Sequence, residues 1–139
     1  MPTVSLFTDD QAATTPRVNA IFQDIRATRK SDFVNNFWRA LAHQPDLLER
    51  TWASVKTVML TPSDEPGALD PLTKELLYIA VSTINSCTYC VHSHTAAARA
   101  KGMSPQQHAE LLSVIALASQ TNAIANALQI PVDPEFLIS

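Results

Sequence analysis

Apolar residues recur along this chain at helical spacing, and nearly every recurrence is framed by a cap or a proline. Val18, Ile21, Phe22 and Ile25 fall at i, i+3, i+4 and i+7. That is one stripe of a helix starting near Arg17 and about three turns long. Ser31 or Asp32 is read as the cap of a second helix, with Phe33, Phe37, Trp38 and Leu41 on its apolar face and its end near His43. A third starts at Pro45, a favoured first-turn position, and carries Leu47, Leu48, Trp52, Val55 and Met59. Residues 61–70, TPSDEPGALD, read as a loop. Beyond it Asp70 and Pro71 open a helix over 71–85 that is apolar nearly all round and is therefore expected to be central. Asn85-Ser86 ends it, and a helix over about 87–101 follows, with Gly102 just past its end. Ser104-Pro105-Gln106-Gln107 is a capping box for a long helix to Leu128, with a break expected near Gln120-Thr121. No segment alternates as a strand does. The expected fold is all-α: a single-domain helical bundle over 17–139, preceded by an N-terminal arm, 1–16.

Composition narrows the function classes. A chain of 139 residues, 46% of them hydrophobic and 17% charged, can bury a core without cross-links. Its net charge of -3 and scattered basic residues carry no nucleic-acid footprint. The N-terminal stretch lacks a basic segment followed by an apolar one, and no run of about 18 uninterrupted apolar residues occurs. A cytoplasmic protein without a membrane partner is expected. The Ala- and Leu-rich stretch 109–128 offers more apolar surface than a monomer of this size covers, which points to a homo-oligomer.

The octet CTYCVHSH, residues 87–94, holds both cysteines and two of the four histidines. On a helix, Cys90 and His94 lie at about 300° and 340° from Cys87, whereas His92 and Tyr89 lie at about 140° and 200°. Four zinc ligands from this octet would have to come from both sides of one helix, so that clamp is excluded. Covalent haem attachment requires a histidine directly after the second cysteine, where Val91 stands. A three-ligand metal module from Cys87, Cys90 and His94 stays open, as does a pair of inert buried thiols.

A redox dithiol fits position and spacing together. Cysteines at i and i+3 have Cβ atoms about 5–6 Å apart, and a small shift at a helix N-terminus closes the gap to a disulfide. The same place supplies unpaired N–H groups and the positive end of the dipole, which favour a thiolate. A bridge closing so small a loop restricts the unfolded chain little, so its purpose would be chemical. His94, one turn beyond Cys90, can exchange a proton with it. If the helices on either side of Asn85-Ser86 pack antiparallel, Glu75 lies about 16 Å before the turn and His94 about 12 Å after it. A relay from Glu75 through His94 to Cys90 follows.

Glu75, Cys87, Cys90 and His94 at these spacings resemble the signature of the AhpD-like alkylhydroperoxidases of the carboxymuconolactone decarboxylase superfamily. FWRALAHQPDLL and ELLYIAVSTINSCTYCVHSHTAAARAKGMS are similar to it as well, so the resemblance covers roughly residues 33–128. It implies an all-helical fold with the CxxC at the N-terminus of a central helix, and homo-oligomers such as trimers or hexamers. It further implies thiol-dependent reduction of alkyl hydroperoxides or hydrogen peroxide; the sequence carries no flavin or NAD motif, so no bound cofactor or metal is expected and the reductant is a separate partner. In that resemblance Cys90 attacks the peroxide, Cys87 resolves, Glu75 and His94 relay the proton, and an external thiol reductant completes the cycle. Tyr89 stands where the best-characterised members carry a further relay histidine, and it is an auxiliary candidate through its phenol. Lactone-decarboxylating members lack the cysteine pair. The alternatives are a disulfide oxidoreductase or redox sensor with little peroxidase activity, the non-enzymatic metal module, and an oligomeric structural protein.

Overall fold

The computed structural model describes residues 3–61 and 64–137. Residues 1–2 and 62–63, parts of the expected arm and loop, and residues 138–139 lie outside the described residues. Contacts divide the chain into two compact units, Met1–Thr61 and Pro62–Ser139. All regular elements among the described residues are helical.

In the first unit, α1 (Asp9–Ala13) forms within the segment read as an arm. Thr8 and Gln11 cap it reciprocally, and Ala12 is buried in the core of the unit. Arg39 fastens the segment: its Nη1 donates to Phe7 O at 2.8 Å, and the Phe7 N–H donates to Arg39 O at 3.2 Å. His43, just past the end of the short helix Asn36–Leu41, packs back on the segment: its Nε2 lies 2.7 Å from Ser5 O, and its ring meets Phe7 edge-on. In α2 (Pro16–Arg29), Val18, Ile21, Phe22 and Ile25 are buried as one stripe.

α3 (Asn36–Leu41) begins later than Ser31 or Asp32. The Ser31 hydroxyl accepts the Phe33 N–H at 3.2 Å, a local turn that competes with helix, and the Asn35 side chain becomes the cap by accepting from Trp38 N–H. Phe33, outside the helix, is exposed. α4 (Pro45–Val55) runs on into a π-helical turn, Lys56–Leu60, which carries Met59 inward. Trp38 and Trp52 pack edge to face with centroids 5.3 Å apart.

The second unit holds α5 (Pro71–Ile84), α6 (Thr88–Ala100), α7 (Pro105–Leu128) and a 3-10 turn, Pro134–Phe136. α5 is its middle helix, packed on both α6 and α7. Ile79, Ala98 and Met103 form the core, with Leu72, Leu76 and Leu111 against it. Asp70 accepts the Thr73 N–H at 3.0 Å, and Ser104 and Gln107 form the capping box at the start of α7. α7 passes through Gln120-Thr121 unbroken: the Thr121 hydroxyl donates to Ala118 O inside the helix, so its hydrogen bond is met without the chain leaving the helix.

α5 is covered on one face only. Leu77, Val81 and Ile84 stay exposed and, with Leu111, Val114 and Ile115 of α7, line an open apolar groove of about 600 Å³. No residue of α7 is buried. By length and composition this helix could cross a membrane, although no uninterrupted apolar run marks it in the sequence.

Candidate active site

Two helix ends and a tight turn create the site. Asn85 closes α5, Ser86 takes a left-handed conformation with φ 57°, and the Cys87 N–H reaches back to Ser82 O at 2.9 Å. The chain thereby reverses, and Cys87 becomes the N-cap of α6. Its Sγ accepts the Cys90 N–H at 3.3 Å, so a sulfur occupies the position usually held by a Ser or Asp oxygen. Cys87 and Cys90 are joined as a disulfide with Cα atoms 5.3 Å apart. Both are partly exposed, which gives a small partner access to the sulfurs. Helix N-terminal N–H groups around them stabilise negative charge on a reduced sulfur.

Glu75 and His94 meet across the α5–α6 pair. Glu75 is 3% exposed, and its Oε2 accepts from His94 Nδ1 at 2.6 Å. Its other oxygen, Oε1, accepts from Lys101 Nζ at 2.8 Å. Burial works against the ionised carboxylate, but the hydrogen bonds and charges of His94 and Lys101 outweigh it, so Glu75 is held below its ordinary value. With Nδ1 committed to Glu75, Nε2 is the nitrogen through which the imidazole can exchange a proton with a neighbour. Cys90 lies one helical turn away.

Tyr78 and Lys101 join this group without being marked by the octet. The Tyr78 ring stacks on His94 with centroids 3.6 Å apart and planes 18° from parallel. Helical spacing carries the signal for both. Tyr78 follows Glu75 by three positions and Lys101 follows His94 by seven, so each shares a face with its neighbour. Tyr89 and His92 are exposed on α6. Among the described residues, no group of three or more His, Cys, Asp or Glu side chains is arranged to hold a metal ion.

Known proteins are similar to this chain. Residues 45–133 match the carboxymuconolactone decarboxylase family. The alkyl hydroperoxide reductase AhpD of Solibacter usitatus is 38% identical over 65 residues, 47% of this chain. The (R)-2-haloacid dehalogenase of Pseudomonas putida is 26% identical over 100 residues, 72% of this chain. The chain spans 35% and 32% of the lengths of these two relatives. The crystal structure of an alkylhydroperoxidase AhpD core from Rhodospirillum rubrum superposes with a TM-score of 0.94 at 63% identity, covering 100% of this chain and 99% of that one. On the extent of the family match and on this structural likeness, the chain belongs to the carboxymuconolactone decarboxylase family and is AhpD-like within it.

Proposed function

We propose that the protein is a thiol-dependent peroxidase that reduces alkyl hydroperoxides or hydrogen peroxide through the Cys87–Cys90 pair. The observation that carries this reading is the buried Glu75, hydrogen-bonded to a histidine one turn from a cysteine at a helix N-terminus. A disulfide exchange enzyme needs the two sulfurs. A carboxylate holding an imidazole behind one of them supports a step in which a proton must be delivered to a leaving oxygen.

In the reduced protein His94 Nε2 takes the Cys90 proton, and Glu75 stabilises the resulting imidazolium at Nδ1. The Cys90 thiolate attacks the outer oxygen of R–O–O–H, and the S–O bond forms as the O–O bond breaks. The departing alkoxide takes the proton from the imidazolium and leaves as R–OH, while Cys90 becomes a sulfenic acid. Cys87 then attacks the Cys90 sulfur, forming the disulfide and releasing water. Two electrons have passed from the thiols to the peroxide. An external thiol reductant returns them by exchange at the exposed small-loop disulfide. A cytoplasmic location fits that need for reductant.

The same reading includes a homo-oligomer, a trimer or hexamer, assembled through α7. Its support is a long apolar helix with no buried residue. Polar residues throughout its length, among them Glu110, Gln120, Asn122 and Asn126, favour a protein partner over lipid.

Rapid mixing of reduced protein with a hydroperoxide tests the chemistry. Both thiols of the chain should disappear with one equivalent of peroxide, leaving an intramolecular disulfide. Thiols that survive excess peroxide, yet exchange with disulfide reagents, would leave the oxidoreductase reading instead.

A further inference from the structure

The contacts of His94 fix more than its proton. A single hydrogen bond at Nδ1, with the covalent tether at Cγ, still leaves the imidazole able to tilt, and Nε2, at the far side of the ring, shifts most when it does. Removing that freedom takes a second contact on the ring face. Tyr78 supplies one: its ring lies 3.6 Å from the imidazole centroid and within 18° of parallel. Glu75 and Tyr78 are three positions apart on α5, so one helix face provides the edge contact and the face contact together. Lys101, bonded to Glu75 Oε1, keeps the carboxylate from rotating away from its histidine.

We propose that Tyr78 is a positioning residue of the site: by stacking on His94 it fixes the imidazole plane and aims Nε2 at Cys90. The inference rests on the peroxidase reading above and deepens it by adding a residue that acts through the histidine. The flat ring does this work, not the phenol oxygen, because the contact is face to face. Tyr78 is 39% exposed, so its ring lies between His94 and solvent-accessible surface and is not a core residue. Misalignment of a proton-transferring group by about 1 Å can cost about a hundredfold in rate, and partial loss of alignment less.

The test compares Tyr78→Ala, Tyr78→Leu and Tyr78→Phe in steady-state reduction of a tertiary alkyl hydroperoxide by dithiothreitol, alongside proton NMR of the histidine rings. Loss of the ring in Ala and Leu should lower kcat by roughly tenfold with KM for the peroxide unchanged, and Phe should restore it. The His94 ring resonances, identified by their loss in His94→Ala, should sit upfield in wild type and in Phe, and move downfield in Ala and Leu. The Leu variant keeps apolar bulk, so a folding defect confined to Ala does not decide the outcome. A wild-type kcat in Leu, a Phe variant as slow as Ala, a change in KM alone, or His94 resonances unaffected by loss of the ring would each overturn the proposal. If wild type itself reduces no hydroperoxide, the peroxidase reading falls. The ring resonances and the rate of Cys90 alkylation by iodoacetamide then still decide the role of Tyr78.

Discussion

Replacing Glu75 by Gln is the most revealing single perturbation. The side chain is 3% exposed and satisfies two donors, His94 at 2.6 Å and Lys101 at 2.8 Å. Gln keeps the size but removes the charge, and its amide nitrogen must face one of those donors. Removing one member of a fully buried pair costs about 3–5 kcal/mol. Here the His94 and Lys101 side chains are 23% and 29% exposed, so water compensates part of the loss. Allowing for that screening, the expected destabilisation near pH 7 is about 2 kcal/mol. The sign with pH follows from the depressed folded-state value of Glu75. A carboxylate with a lowered folded value contributes stability that is fully present above its unfolded value, about 4.3, and is lost as pH falls through the folded value. The gap between wild type and Glu75→Gln should therefore hold at neutral pH and narrow in strong acid. Urea unfolding followed by far-ultraviolet circular dichroism at a series of pH values measures it. Equal stability at pH 7, or a gap that is undiminished in strong acid, would refute the electrostatic account of this site.

Other consequences follow from the same geometry. His94→Ala should slow the reaction of reduced Cys90 with hydroperoxide by about 10²–10⁴-fold, measured by stopped flow, and an unchanged rate would remove the relay. Ser86→Gly should raise the thermal midpoint, because a non-glycine residue at φ 57° carries strain of about 1–2 kcal/mol that glycine does not; a lowered midpoint would contradict the turn described before Cys87. Leu117→Glu, on the uncovered face of α7 where Leu117 is 62% exposed, should reduce the mass seen by light scattering toward that of one chain. A wild-type protein that is already a stable monomer would reject the α7 interface.

Much of this was legible in the sequence because the signals were local. The stripe Val18, Ile21, Phe22, Ile25 is buried as a unit, and Asp70, Ser104 and Gly102 stand at the helix ends their chemistry favours. Glu75 and His94 could be paired from their distances to one turn, since two helices joined by so short a connection have little choice of register. The late start of α3 was less legible, because Ser31 and Asn35 are both good caps and the local turn at Ser31 decides between them. The small helix in the N-terminal segment is too short to show a period, and it depends on Arg39, distant in sequence. Tyr78 and Lys101 were hidden for another reason. An aromatic and a lysine on helix faces usually pack or solvate, and only the meeting of Glu75 and His94 across the two helices gives them partners, His94 for Tyr78 and Glu75 for Lys101.

The assignment of roles to the two sulfurs is tested most directly by the Cys87→Ser variant. Reduced and then treated with one equivalent of hydroperoxide, it should carry one added oxygen on Cys90, trapped as a sulfenic acid by dimedone and located by peptide mass spectrometry. Cys90→Ser, treated in the same way, should remain unmodified at Cys87. Oxygen on Cys87 of the Cys90→Ser variant with none on Cys90 of the Cys87→Ser variant would reverse the roles, and no oxidation of either would contradict the peroxidase account.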